Sequence, residues 1–306
     1  MNFKKFGILF LSLTTLSLIS SCSKEDGEPS SDSITNFDGE RLTGINDANF
    51  YYDNRGRLIE VSDPYDTMTI DYSKGTFTLE DEVYGFKTNS DGYISEITNT
   101  YDDIDGWNGN YYQYTGKGKY TFTYSNGVIT KINVTYSETE KNLTTNEVTK
   151  YESEGKYSLS WKSNMLTSIN IQGKETEDGE TDRWEDNYSI SYSQKPNVFR
   201  QYPITIVGDA LYFDFSIACM ASVGLLGKGP SMLPDYIEGN DDSYYWDTNL
   251  NFSLTASGAI KKEITDRDSY TYYYNSINSR SLTGKDNLKE KSHRRIFGKR
   301  LKEKRK

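Results

Sequence analysis

The sequence predicts an all-β protein, an antiparallel up-and-down meander or partly closed barrel of repeated hairpins, with one short helix packed on it. Three observations carry that expectation. The chain holds 26 Tyr and 13 Phe but only 6 Pro in 306 residues, a composition that favours strands. Aromatics alternate with Thr in Tyr120-Thr121-Phe122-Thr123-Tyr124, so strand geometry sets one aromatic face against one polar face. A hairpin pattern also recurs, with turns at 56, 92, 127 and 164, about every 35 to 37 residues, the spacing of repeated supersecondary units.

Met1 to Ser21 has a basic start (Lys4, Lys5) and an apolar run from Phe6 to Leu13. A leader this short, with these flanks, reads as a secretion signal and not a membrane span. Ile19-Ser20-Ser21-Cys22 resembles the cleavage site of bacterial lipoproteins. The resemblance implies that Cys22 becomes the lipidated first residue of the mature chain. Ser23-Lys24-Glu25-Asp26 resembles the acidic export tag of Bacteroides-type lipoproteins, which implies an outer-membrane location facing the cell exterior. Residues 22–35 then read as the lipidated Cys and a flexible tether, rich in Ser, Asp and Glu and without the means to form a core.

Residues 36–275 read as a single β-meander domain. Its hairpins are Phe50–Val61, Phe86–Ile97, Tyr120 to Ile129, a degenerate copy from Tyr157 to Ile169, and a late copy from Phe252 to Ile264. Asn-Gly and Asp-Gly supply the positive φ that two-residue turns require. In each copy the apolar residues after the turn are spaced by two or three. The connections between hairpins differ in kind: residues 102–109, 138–146 and 175–184 read as long, polar, mostly acidic loops. A meander would gather the tight turns on one rim and these loops on the other, where ligand contacts belong.

Leu211, Phe215, Ala218, Cys219, Ser222 and Leu225 recur at helical spacing, which predicts a helix over residues 209–226 packed into the open side of the sheet. A pair of buried strands is the alternative. With Cys22 acylated, Cys219 has no partner for a disulfide, and its apolar neighbours predict a buried, inert thiol. Residues 276–306 form a basic tail. Lys285 to Lys306 carries 11 Lys/Arg and 3 Asp/Glu and holds the one histidine, His293. Such blocks usually form solvated tails; a contact with anionic lipopolysaccharide or phosphate and a partner-specific arm are the alternatives.

The aromatic-rich hairpins resemble YD-type repeats. With Gly227-Lys228-Gly229-Pro230-Ser231-Met232-Leu233-Pro234, the chain is similar, roughly from Ile34 to Tyr274, to a Bacteroides-type surface lipoprotein family of unknown function with a porin-like fold. That family carries no assigned activity, so the resemblance brings no catalytic residue. Alternation alone does not separate a lipid-facing band from a core-facing one. The lipid anchor, the Lys, Glu and Asn of the polar strand face and the basic C-terminus all favour a water-facing wall around an aromatic core.

One histidine, placed in a tail, leaves no Ser-His-Asp or Cys-His arrangement and no His/Cys zinc set. Asp103-x-Asp105-Gly106 has part of a calcium-loop spacing, but Tyr101 and Tyr112 stand where the first and last ligands belong. No carboxylate pair among the 45 acids is singled out for glycoside hydrolysis. The sequence therefore predicts no enzyme, no catalytic residue, no metal and no cofactor. It predicts a monomer held to the membrane by lipid, with a glycan or an envelope protein as partner and no nucleic acid. Trp107, Tyr111, Tyr112 and Trp184, in or beside the acidic loops, are the ligand-binding candidates; core packing is the competing role for Trp107, Trp161 and Trp184. A structural envelope protein and a glycan-processing enzyme are the rival readings. Asp32-Ser33-Ile34 and Asp66-Thr67-Met68 resemble O-glycosylation sites of this bacterial group.

Overall fold

A computed structural model describes residues 37–79, 82–107, 110–241 and 245–276. The leader, Cys22, the tether, His293 and the basic tail lie outside the described residues. Seventeen strands form the wall. The first seven are β1 (Glu40–Ile45), β2 (Ala48–Tyr52), β3 (Leu58–Ser62), β4 (Thr67–Asp71), β5 (Thr76–Leu79), β6 (Glu82–Thr88) and β7 (Ile94–Trp107). The long strands follow: β8 (Asn110–Ser125), β9 (Val128–Asn142), β10 (Val148–Lys162), β11 (Met165–Glu177) and β12 (Glu180–Pro196). Last come β13 (Met232–Asp241), β14 (Tyr245–Asn249), β15 (Asn251–Leu254), β16 (Ile260–Ile264) and β17 (Ser269–Ser276).

Neighbours pair antiparallel from β1 through β14 and from β15 through β17, and β17 pairs back onto β1, with Glu40 opposite Ser276. Only Leu250 separates β14 from β15, and its N–H donates to Asp235 O at 2.9 Å. The two are halves of one kinked crossing, the first paired to β13 and the second to β16. Sixteen crossings result, the even number that a ring of antiparallel neighbours needs.

The repeat has a structural cause beyond its turn. Asn126-Gly127 and the degenerate Ser163-Asn164 both take positive φ at both positions, as a two-residue hairpin demands. Just before each tight turn the register slips by one: at Tyr51/Tyr52, Lys87/Thr88, Thr123/Tyr124, Ser160/Trp161 and Ser253/Leu254. The bulge explains why apolar residues after the turn are three apart and not two. Leu58 and Val61, Ile94 and Ile97, Ile129 and Ile132, and Leu166 and Ile169 are all buried, because an extra residue re-aims the strand.

The abundance of Tyr follows from the same device. Tyr52 OH donates to Leu42 O at 2.6 Å, Tyr124 OH to Ile94 O at 2.6 Å, Tyr192 OH to Leu166 O at 2.8 Å and Tyr274 OH to Ile260 O at 2.7 Å. Trp161 Nε1 does the same to Ile129 O at 2.7 Å, so Trp161 is half-buried against the core. A phenol is large enough to fill the interior and polar at the tip, so it satisfies a carbonyl in the wall.

Between β12 and β13 the chain makes a 35-residue insert, 197–231. It holds one π-helical turn, Ile206–Ala210, and one α-helix, α1 (Phe215–Ser222), capped by Asp214 accepting from Ser216 N at 2.8 Å. The predicted helix over 209–226 is therefore shorter: the chain breaks at Leu211–Asp214, where Tyr212 takes φ +56°. The six residues from Ile217 to Ser222 are all buried. A helix buried on every side is enclosed, so the insert plugs the barrel and does not lie on an open sheet. Cys219 is fully buried there, and burial pushes its thiol well above its ordinary value.

The Gly-Lys-Gly-Pro-Ser segment stitches this plug to the turns. Leu225 O accepts from Ile94 N at 2.8 Å, Lys228 N donates to Gly127 O at 2.7 Å, and Ser231 N donates to Asn164 O at 2.8 Å. Three successive hairpin repeats thus dock on seven residues. Gly227 (φ +85°) lies against Gly127 O and the Tyr124 ring, leaving no room for a side chain.

Outside, the wall is polar along β10. On β10, Lys150, Glu152, Glu154, Lys156, Ser158, Ser160 and Lys162 are all exposed, while Tyr151, Ser153, Gly155 and Leu159 are buried. A lipid-embedded barrel has the reverse arrangement, and a Lys at the bilayer midplane costs about 2–4 kcal/mol. The outward face of β10 is built for water.

Candidate functional site

The residues expected in long acidic loops are in strands. Residues 102–107, 138–142 and 175–177 extend β7, β9 and β11, and residues 180–184 begin β12. The Thr, Tyr and Lys interspersed with these carboxylates support a ladder, and the described connections between them are short. Tight turns and these extended hairpins nevertheless fall on opposite rims, as the meander requires. The first rim is closed by the plug; the second is the open end.

Cross-strand register fixes what lines the interior below that end. From β8 to β12, Phe122, Ile132, Tyr157, Ile171 and Asp186 share one row, and Tyr120, Val134, Gly155, Gly173 and Trp184 the next. Above them come Gly118, Tyr136, Ser153, Glu175 and Asp182, then Gly116, Glu138, Tyr151, Glu177 and Glu180. The lower two rows contain one carboxylate and the upper two contain five. Lys150, Lys174 and Arg183 occupy the intervening, outward positions.

Buried and half-buried carboxylates at this boundary are held by phenols. Glu138 Oε2 accepts from Tyr101 OH at 2.5 Å and Tyr136 OH at 2.8 Å. Glu82 Oε2 accepts from Tyr84 OH at 2.5 Å and Asn99 Nδ2 at 2.9 Å. Tyr212, at the top of the plug, bonds Tyr188 OH and donates to Asp186 Oδ2 at 3.3 Å. Burial first, then these partners, pushes Tyr136 and Tyr212 far above the ordinary phenol range. They are neutral donors at any physiological pH, suited to hydrogen bonding and not to proton transfer.

Glycines let the aromatic rings lie flat. Gly116 faces the Tyr101 ring, Gly173 the Trp184 ring, and Gly239 both Tyr188 and Trp246; a methyl at any of them would overlap a ring. Each glycine is directly opposite its aromatic in the ladder. A Gly facing an aromatic across a strand pair is the sequence signal for these positions, and the residues it would have found include Tyr101 and Tyr188.

The structure does not bring Tyr111, Tyr112 and Trp184 together. Trp107 is the last residue of β7, opposite Asn110; its indole lies outside the described side chains. Tyr111 and Tyr112 are consecutive strand residues and point to opposite faces: Tyr111 is 60% exposed on the outer wall, while Tyr112 is half-buried with its ring 6.3 Å from Tyr114. Trp184 is half-buried over Gly173 and packs against the core, four strands from β8, about 19 Å along the sheet. Asp103 and Asp105 share a strand face, opposite Tyr114 and Tyr112. Among the described residues, no group of three or more His, Cys, Asp or Glu is placed to hold a metal, and no helix is long and apolar enough to cross a membrane.

The chain is similar to two solved structures. One is a porin-like protein from Bacteroides vulgatus, 12% identical, covering 77% of this chain and 99% of that one, with a TM-score of 0.49. The other is a porin-like protein from Bacteroides uniformis, 15% identical, covering 74% and 89%, with a TM-score of 0.42. No family model and no curated protein matches the chain.

Proposed function

We propose that this is a non-catalytic surface lipoprotein, anchored in the outer membrane through Cys22, that captures a glycan or other extracellular ligand at the open end of its barrel. The observation that carries the reading is the change in the inward rows from apolar to Tyr and carboxylate at one height on neighbouring strands. Flat aromatic rings and hydrogen-bonding carboxylates are the groups that stack on and bond to sugars. The start of β1 and the end of β17 lie on the plugged rim, so an anchor at Cys22 would leave the open end facing away from the membrane.

A glycan array with the exported chain tests capture. Binding lost in Trp184→Ala and Tyr112→Ala but kept in Tyr111→Ala supports capture from inside the rim; binding insensitive to the first two removes it from there. Release of reducing ends from a polysaccharide would make the protein an enzyme. The second reading, a structural envelope protein, draws on the mutual pairing of Tyr101, Tyr136 and Glu138, which stabilises the wall without any ligand. It predicts no glycan binding and co-purification of one envelope protein. Cys22→Ala should leave the protein unlipidated, and protease added to intact cells should digest the wild type.

A further inference from the structure

The outer wall changes character between β8–β10 and β11–β14. On the first group, Lys119, Lys131, Lys156 and Lys162 stand outward and exposed. On the second, Asn170, Asn187, Asn240 and Tyr245 share one outward row, and Ser168, Ser189, Glu238 and Asp247 share the next. These eight positions hold no Lys or Arg. Short Ser and Asn side chains lose less rotamer entropy when a partner orders them than Lys, which loses about 1.5–2 kcal/mol. Tyr, Ser and Asn are also the residues that antibody combining sites use for rigid stacking and adaptable hydrogen bonds. Two rings are already laid down on this panel. Tyr245 is opposite Asn240 and Tyr236 is opposite Asn249, so the two tyrosines stand four residues apart along the wall, about 14 Å. Their hydroxyls nevertheless meet at 3.2 Å; Tyr236 OH donates to Asp247 Oδ2 at 2.8 Å, and Tyr245 OH lies 3.4 Å from Glu238 Oε2. Each ring therefore runs along the wall toward the other instead of projecting from it, and Tyr245 stays 55% exposed. Beside them, Asn170 Nδ2 donates to Asn187 Oδ1 at 2.8 Å and to Glu185 Oε1 at 2.6 Å, which fixes the amide row.

We infer that the outer wall of β12–β14 is a second ligand surface, separate from the open end, that holds an extended, uncharged polysaccharide along the strands. Rings lying end to end offer successive sugars one continuous face, which a straight chain follows and a coiled one leaves. The sugar hydroxyls bond to the Asn amides and to the Glu238 and Asp247 carboxylates. The lack of cations at these positions disfavours anionic polymers, nucleic acid included. A protein interface needs an apolar centre, and Tyr245 is the one exposed large hydrophobic side chain among these eight positions. The inference does not depend on capture at the open end.

The test is retention of the exported chain from Ser23 to Lys306 on suspended cellulose and chitin, whose chains are extended and uncharged, with starch granules, whose chains coil, as the comparison. Retention should occur on cellulose or chitin, exceed that on starch and persist when salt is added. Tyr236→Ala combined with Tyr245→Ala should lower the affinity about tenfold or more. Asn187→Lys combined with Asn240→Lys, which sets two long cations on the panel, should lower it comparably, and a far-UV spectrum like that of the wild type checks that both variants fold. Tyr112→Ala and Trp184→Ala, which read the open end, should leave retention on the polymer intact. No retention on cellulose or chitin, retention indifferent to the panel substitutions, or a preference for starch would overturn the inference. Retention lost only in Tyr112→Ala or Trp184→Ala overturns it as well and leaves capture at the open end standing. Retention lost only in the panel variants, with no glycan bound at the open end, supports this surface and sinks capture there. Co-purification of a protein that depends on Tyr236 and Tyr245, without polymer retention, overturns the polysaccharide and gives the panel to that protein.

Discussion

The plugged half and the open half of the barrel share one wall but are held together by different forces. Near the tight turns, Ile97, Ile132, Leu166 and Ile169 share one buried cluster with the insert's Ile217, Cys219 and Met220, and all are essentially inaccessible. Stabilisation there is burial, at about 25 cal/mol for each Å² of apolar surface. Near the open rim the inward positions are Glu138, Glu175, Glu177 and Glu180, and order comes from the ladder plus phenol–carboxylate bonds. Stability is therefore concentrated in one half. The other half is free to carry groups that a core would reject.

The largest expected effect falls on the plug. Cys219→Asp places a carboxylate where no donor is provided, and should cost more than about 4 kcal/mol, read as loss of the urea transition or of soluble protein. Next comes alkaline pH. Burial raises Tyr52, Tyr124, Tyr202 and Tyr272 above their ordinary value. The folded state then holds protons that the unfolded state releases, so stability is complete below about pH 10 and is lost as pH rises beyond it. Phenolate absorbance should appear together with unfolding and not before it for these residues.

Gly239→Val tests the boundary between the halves. It overlaps the Tyr188 and Trp246 rings and should cost about 1–3 kcal/mol, measured as a shift in urea midpoint. Glu263→Gln should cost a similar amount, about 1–3 kcal/mol, because Glu263 accepts from Ile204 N, Thr205 N and Tyr272 OH at 2.8–2.9 Å and pins the plug. Burial raises its carboxyl despite those bonds. Stability should accordingly fall as pH rises from about 4.3 through the raised folded value, and the Gln variant should flatten that slope. The smallest effect belongs to the open half: Asp182→Asn should stay within about 0.5 kcal/mol. A large loss there would break the contrast between the halves.

Some of this was legible without coordinates. Hairpins, tight turns, their shared rim and the buried thiol follow from alternation, Asn-Gly chemistry and an apolar neighbourhood, which act within a few residues. Glu263 was also readable in principle. It occupies the position that Val61, Ile97, Ile132 and Ile169 fill in the other copies, and a carboxylate in that place calls for a partner from elsewhere. The acidic stretches were misread as loops because carboxylates are poor strand formers in isolation; cross-strand Thr, Tyr and Lys override that preference.

The sequence by itself determined the period, the turn positions and which strand face is apolar, because those depend on local φ preferences and on side chains two residues apart. Only the tertiary structure decided that β14 and β15 are one crossing, that residues 197–231 fill the barrel, and that Trp184 lies far from Tyr112. Each of these is a pairing between distant residues, set by register around a closed ring, and no window of neighbouring residues contains it.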